Sequence, residues 1–108
     1  MGYTTEEKHL EDQILDFFED LKKHGHPIYW EHRSGQGGFQ YKKGVPDFFV
    51  VYDGLHLEIE TKGSDGKQST LQRKFQWKCE TIYHIPYCCP HSYQEFLDFI
   101  CPYIKSEE

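Results

Sequence analysis

The stretch Gly44–Gly63, GVPDFFVVYDGLHLEIETKG, decides how this chain folds. Phe48–Tyr52 and Leu55–Ile59 are rich in aromatic, branched and apolar residues, with Asp53-Gly54 between them. That dipeptide suits a type I′ turn, which needs positive φ at both central positions. With those two residues as the loop, register follows by counting. Tyr52 pairs with Leu55, Val50 with Leu57, Phe48 with Ile59, and then Asp47 with Glu60. The two acids become cross-strand neighbours with Cβ atoms roughly 5 Å apart. Alternation places Glu58, Glu60 and Lys62 on one face and Leu57, Ile59 and Thr61 on the other. Opposed carboxylates repel, and a divalent cation with a preference for hard oxygen is the natural species to sit between them. A D…ExK pattern taken alone also fits a solvated hairpin face slipped by one residue, so the flanks have to decide.

The chain has 108 residues, 17% of them aromatic, and a formal net charge of -6. Its length predicts one domain spanning residues 1–108, with a single core small enough that an oligomer would help it. No secretory signal, transmembrane-length apolar run, repeat or low-complexity segment is evident, so a soluble, intracellular protein is expected. The acidic balance argues against coating nucleic acid by bulk electrostatics, but not against meeting phosphate through a bound metal.

Apolar residues at Leu10, Ile14, Phe17, Phe18 and Leu21 predict a helix over Thr5–Lys23, stopped by Gly25 and Pro27. On a helical wheel Glu11 falls roughly 60° from the centre of that stripe, an acid at the margin of a buried face. Glu7 lies on the same side and rivals it. Ile28–Arg33 reads as a strand, followed by the polar loop SGQGGFQYKKG (Ser34–Gly44), whose Lys42 and Lys43 suit a phosphate backbone as well as they suit solvent. After the hairpin a helix is expected over Ser69–Ile82 with the stripe Leu71, Phe75, Cys79 and Ile82. Ser69 and Gln72 fit a capping box, and Arg73, Lys74 and Lys78 point away from the core. A strand near His84–Cys88 and a second capping box, Ser92 to Glu95, lead to a final helix that Pro102 limits.

The order α-β-β-β-α-β-α therefore carries Glu11, GVPD (Gly44–Asp47), ETK (Glu60–Lys62) and a helix opening S-x-x-Q. In that order the motifs resemble the PD-(D/E)XK nuclease superfamily and, within it, the VRR-NUC family of stand-alone viral or phage type. The resemblance runs from the Glu11 helix through Arg33 to the SYQEF helix. It implies an α/β restriction-endonuclease-like fold, a mixed central sheet flanked by helices. It also implies a deoxyribonuclease dependent on Mg²⁺ or Mn²⁺, with Asp47, Glu60 and the Thr61 backbone carbonyl on the metal. Lys62 would face the attacking water or the scissile phosphate, and Glu11 would act on a second metal or through water. Gln72 matches a polar family position, with helix capping an equal explanation. Arg33, Lys42, Lys43, Arg73 and Lys74 are expected on DNA. Stand-alone viral proteins of this kind act as homodimers on four-way junctions, so branched DNA (a junction or flap) is the expected partner. The resemblance also places the protein in a virus- or phage-infected cell. The alternatives are a non-catalytic binding module that keeps the fold, or a restriction-type or exonucleolytic enzyme.

Cys79, His84, Cys88, Cys89 and His91 invite a competing zinc chemistry, but their spacing is irregular and lacks C-x-x-C. Reduced cysteines are the expected state. Trp77, opposite the apolar stripe of its helix, suits an interface better than open solvent, with a DNA contact or cover by a loop as alternatives.

Overall fold

The computed structural model describes residues 4–33 and 44–105. Lys42 and Lys43 lie outside the described residues. The first helix, α1 (Thr5–Lys23), starts where Thr4 and Glu7 cap each other's backbone N–H groups in a full capping box. It ends at Gly25, whose φ of +86° a side chain would resist. Between those limits Leu10, Glu11, Ile14 and Phe18 are buried.

Strand β1 (Ile28–His32) runs antiparallel to β2 (Phe48–Tyr52), and β2 runs antiparallel to β3 (Leu55–Ile59). Strand β4 (Tyr87–Cys88) lies parallel to β3, giving a mixed sheet in the order β1-β2-β3-β4. The hairpin register is the one counted from the sequence, with Phe48 opposite Ile59 and Tyr52 opposite Leu55. Asp53 (φ 50°) and Gly54 (φ 86°) supply the left-handed pair that a type I′ turn requires.

The last helix, α3 (Tyr93–Ile100), packs with α1 against the sheet. Leu10, Ile14, Phe18, Phe96 and Ile100 join Phe48, Val50, Leu57 and Ile59 in one core. Phe18 meets Phe48 and Phe96 edge to face, at centroid separations of 5.8 and 5.9 Å. Full burial of each such side chain is worth roughly 1.5–3 kcal/mol. The Ser92 hydroxyl caps α3 at Glu95 N–H, but the expected reciprocal half of that box is absent. The Glu95 carboxylate instead accepts from His91 N–H, one residue further back.

The helix after the hairpin departs from expectation. It is α-helical only over Thr70–Lys78 (α2) and continues as a π-helical turn, Cys79–Tyr83. Of the expected stripe Cys79 is buried, but Leu71 and Ile82 are 46% and 51% exposed. A π turn takes an extra residue, so a pattern with a 3.6 period loses phase across it and Ile82 rotates outward. Leu71 lies instead against Gly44, where a Cβ would come within 2.7 Å of the Leu71 Cβ. The following strand begins only at Tyr87, not near His84, because His84 closes the π turn with a left-handed φ of 56°.

Beyond the end of β3 the backbone remains extended. Glu58, Glu60 and Lys62 donate their N–H groups in turn to the carbonyls of Pro86, Cys88 and Pro90. This ladder holds the ETK segment rigidly at the sheet's end. Among the described residues no helix is long and apolar enough to cross a membrane.

Candidate active site

Asp47 sits just before β2 and Glu60 just after β3, so the hairpin brings both acids to one end of the sheet. A cleft of about 740 Å³ opens there, lined by the first turns of α1 and α2 and by the loop after Lys62. Glu11, Asp47, Glu60, Lys62 and Gln72 all line it, five side chains from four separate segments.

Asp47 is fixed on both sides. Its carbonyl accepts from Arg33 N–H at 2.6 Å, while its Oδ2 accepts from the N–H and hydroxyl of Thr61 at 2.9 and 2.7 Å. The Thr61 hydroxyl also lies 3.2 Å from Glu11 Oε2. A hydroxyl has one proton to give, so Asp47 and Glu11 compete as its acceptors, Asp47 from the shorter distance. Burial and the Glu11 charge push the Asp47 carboxyl up, against the lowering effect of the two Thr61 hydrogen bonds and of His32.

Glu60 is 3% exposed. Its Oε2 accepts from Gln72 Nε2 at 2.8 Å and lies 3.6 Å from Lys62 Nζ, ion-pair rather than hydrogen-bond distance. Its Oε1 is buried without a hydrogen-bond partner among the described residues. Burial and then the Asp47 charge push its carboxyl up to about 8, with Lys62 pulling the other way and Glu7 adding to the rise. Gln72 makes the capping box expected of it, its Oε1 accepting from Ser69 N–H, while its Nε2 donates to Glu60.

These residues fit a hard divalent cation. Oxygen donors predominate, one buried carboxylate oxygen lacks a partner among the described residues, and both central acids are short of counter-charge there. Among the described residues no three His, Cys, Asp or Glu side chains stand in a ready-made cage, so the set converges without closing. Glu7 is occupied by its capping box at the rim, whereas Glu11 is buried beside Thr61 and His32.

Sequence reading missed several neighbours. His32, opposite Phe48 in the β1–β2 register, stacks on the Phe48 ring and faces Glu11. The register alone would have placed it on the core side. Glu6 grips Ser64 through its N–H and hydroxyl, and Asp65 and Lys67 line the cleft, a use that the polar loop GSDGKQ did not reveal. In the other direction, Arg33 is turned inward, away from the expected DNA contact. Its guanidinium donates to both Glu58 carboxylate oxygens at 2.9 and 3.3 Å and to Pro46 O at 3.0 Å. Arg73 and Lys74 are exposed on α2, beyond Gln72.

The zinc residues do not gather. Cys79 is in the interior, His91 Nε2 donates to Gly66 O, and burial pushes the Cys88 and Cys89 thiols up to about 12.

Among solved structures, a VRR_NUC domain superposes on 92% of this chain and 97% of its own length with a TM-score of 0.69, at 17% identity. The chain has the VRR_NUC fold. No family model and no curated protein matches the sequence. Element order, mixed sheet and flanking helices thus agree with the fold implied by the motifs, and the acidic cleft of this chain lies at the end of its own central hairpin.

Proposed function

We propose that this chain is a member of the VRR_NUC family, a single nuclease domain over residues 1–108 that hydrolyses phosphodiester bonds in DNA with Mg²⁺ or Mn²⁺. The observation that carries the reading is Glu60. A buried carboxylate with one unpartnered oxygen, opposite a second acid and beside a lysine, is costly to keep unless something binds there.

Asp47, Glu60 and the Thr61 backbone carbonyl would hold the ion, with Glu11 completing the set. A divalent cation at that position supplies positive charge to the scissile phosphate and to the attacking oxygen. The chain's own groups do the rest. Lys62, held near Glu60, presents an ammonium to the phosphate oxygens as charge develops on them. Gln72 fixes the Glu60 carboxylate, and Thr61 fixes Asp47. Arg73 and Lys74, with Lys67 at the cleft and Lys42 and Lys43 outside the described residues, would follow the phosphate backbone.

The substrate we favour is branched DNA, a four-way junction or flap. The basic residues offered to DNA, Arg73, Lys74 and Lys67, suit phosphate, and backbone contacts read shape. A homodimer with twofold symmetry would make paired cuts, as expected of the stand-alone viral or phage proteins that the motifs resemble. Action inside an infected cell follows from the same resemblance.

Labelled linear, flap, three-way and four-way DNAs incubated with Mg²⁺ or Mn²⁺ test this directly. The wild type should cut branched forms, and Asp47→Ala and Glu60→Ala should be folded and inactive. Wild-type cleavage rates in either variant would overturn the site, and binding without cleavage by the wild type would favour the non-catalytic module.

A further inference from the structure

His32 stands against the acidic cleft and has no part in the nuclease reading. It ends β1, and its ring lies on Phe48 with centroids 4.5 Å apart and planes 10° apart. Phe48 is itself fully buried, so the stack fixes the imidazole's plane and leaves little freedom about χ2. From that position Nε2 faces Glu11 Oε1 at 3.3 Å, on the opposite side of the carboxylate from the Thr61 hydroxyl at Oε2. The Glu11 carboxylate therefore has a partner at each oxygen, one from the end of β1 and one from the segment after β3. Nε2 is also buried and makes no aligned hydrogen bond among the described residues, its 3.3 Å approach to Glu11 Oε1 being a contact at ion-pair distance. A buried ring nitrogen with one carboxylate within reach gains by meeting it, and the cost of leaving it unmet is of the order of 1–3 kcal/mol.

Resting on the metal site of the preceding section, we infer that His32 is a positioning residue that orients the Glu11 carboxylate toward the Asp47–Glu60 cleft. Glu11 stands on a helix, a separate element from the hairpin carrying the other two acids. A helix-borne ligand reaches a shared ion only when its carboxylate plane is set. The pair of contacts from His32 and Thr61 sets that plane and ties α1 to the end of β1 and to the segment after β3. Groups that orient metal-binding side chains in this way typically change metal affinity about 10–100-fold when removed.

The test is calorimetric titration with Mn²⁺ alone, on the full chain without DNA. His32→Phe keeps an aromatic ring on Phe48 and removes the nitrogen. His32→Gln keeps a donor near the position of Nε2 and removes the ring. The expected result is about 10–100-fold weaker Mn²⁺ binding in His32→Phe and near wild-type binding in His32→Gln. In a Glu11→Gln background the additional loss from His32→Phe should fall below about threefold, because the two residues act as one unit. Unfolding in urea without metal confirms that each variant is folded. Wild-type affinity in His32→Phe, an equal loss in the Glu11→Gln background, or retention in Phe with loss in Gln would each overturn the inference. A wild-type protein that binds no Mn²⁺ would instead refute the metal reading itself, and this inference with it.

Discussion

Glu60→Gln should stabilise the metal-free protein, by an amount that depends on pH in a predictable way. Glu60 has a folded pKa of about 8 against an ordinary value of 4.5. Because the folded value is the higher one, the folded chain holds a proton that the unfolded chain releases. Its contribution to stability is complete below pH 4.5 and is lost as the pH rises to about 8. At roughly 1.36 kcal/mol per tenfold change in proton affinity, the full loss is on the order of 4–5 kcal/mol, with about 3 kcal/mol of it present at pH 7. Glutamine cannot ionise and keeps an amide oxygen for Gln72, so the variant avoids that loss. Urea unfolding in EDTA should show wild type and variant alike near pH 4. The variant should then gain steadily, to about 3 kcal/mol and roughly 13 °C in Tm by neutral pH. Saturating Mn²⁺ should close or reverse the gap, since ligand at about a hundredfold over Kd adds roughly 2.7 kcal/mol to the chain that binds it. A difference independent of pH, or a variant less stable than wild type at neutral pH in EDTA, would refute the argument that burial and the opposed Asp47 strain this carboxylate.

Three further outcomes follow from the same geometry. Lys62→Ala should leave Mn²⁺ affinity nearly unchanged in calorimetry while slowing single-turnover cleavage about a hundredfold, the usual scale for losing one group that meets transition-state charge. Arg33→Ala should cost about 3–5 kcal/mol in urea unfolding, because it leaves the buried Glu58 carboxylate without its bidentate partner. A stable Arg33→Ala variant with weakened DNA binding would restore the contact expected from sequence. Trp77, 58% exposed on α2, should lie in the dimer contact. Light scattering at micromolar concentration should therefore show a dimer for wild type and a monomer for Trp77→Glu, and a wild-type monomer that still makes paired junction cuts would end the dimer proposal.

The parts of the fold that were legible are those whose pattern is local. The bounds of α1 followed from one apolar stripe and its flanking breakers, and the hairpin register from a two-residue loop whose φ requirements only a few dipeptides meet. The second helix misled because its stripe was extended on a 3.6 period through a π turn, a change of pitch that the residues Cys79–Tyr83 do not advertise. The fourth strand was overdrawn for a related reason. It pairs for two residues only, and its ladder with β3 continues through backbone contacts outside the strand proper.

The site divides along the same line. Asp47, Glu60 and Lys62 could be placed together because one hairpin carries them all, so counting along two strands sufficed. Glu11 needed a helical wheel, which gave its tilt toward the core but not its neighbours. What it touches, Thr61 and His32, depends on how α1 lies across the sheet, a tertiary quantity with no short-range trace. Arg33 shows the converse. A basic residue before a glycine-rich loop is as consistent with phosphate contact as with an internal pair, and its choice was settled by Glu58, twenty-five residues away and buried on the opposite face from Thr61. The alternation that put Glu58 and Glu60 on one face contained that answer in outline. Two successive inward acids on a strand each need a cation: among the described residues Glu58 has the Arg33 guanidinium, whereas Glu60 has a lysine at 3.6 Å and keeps one oxygen unmet. The contrast between these neighbours, one acid neutralised from within the fold and the other left short, is the physical basis for placing a divalent cation at Glu60 and not at Glu58.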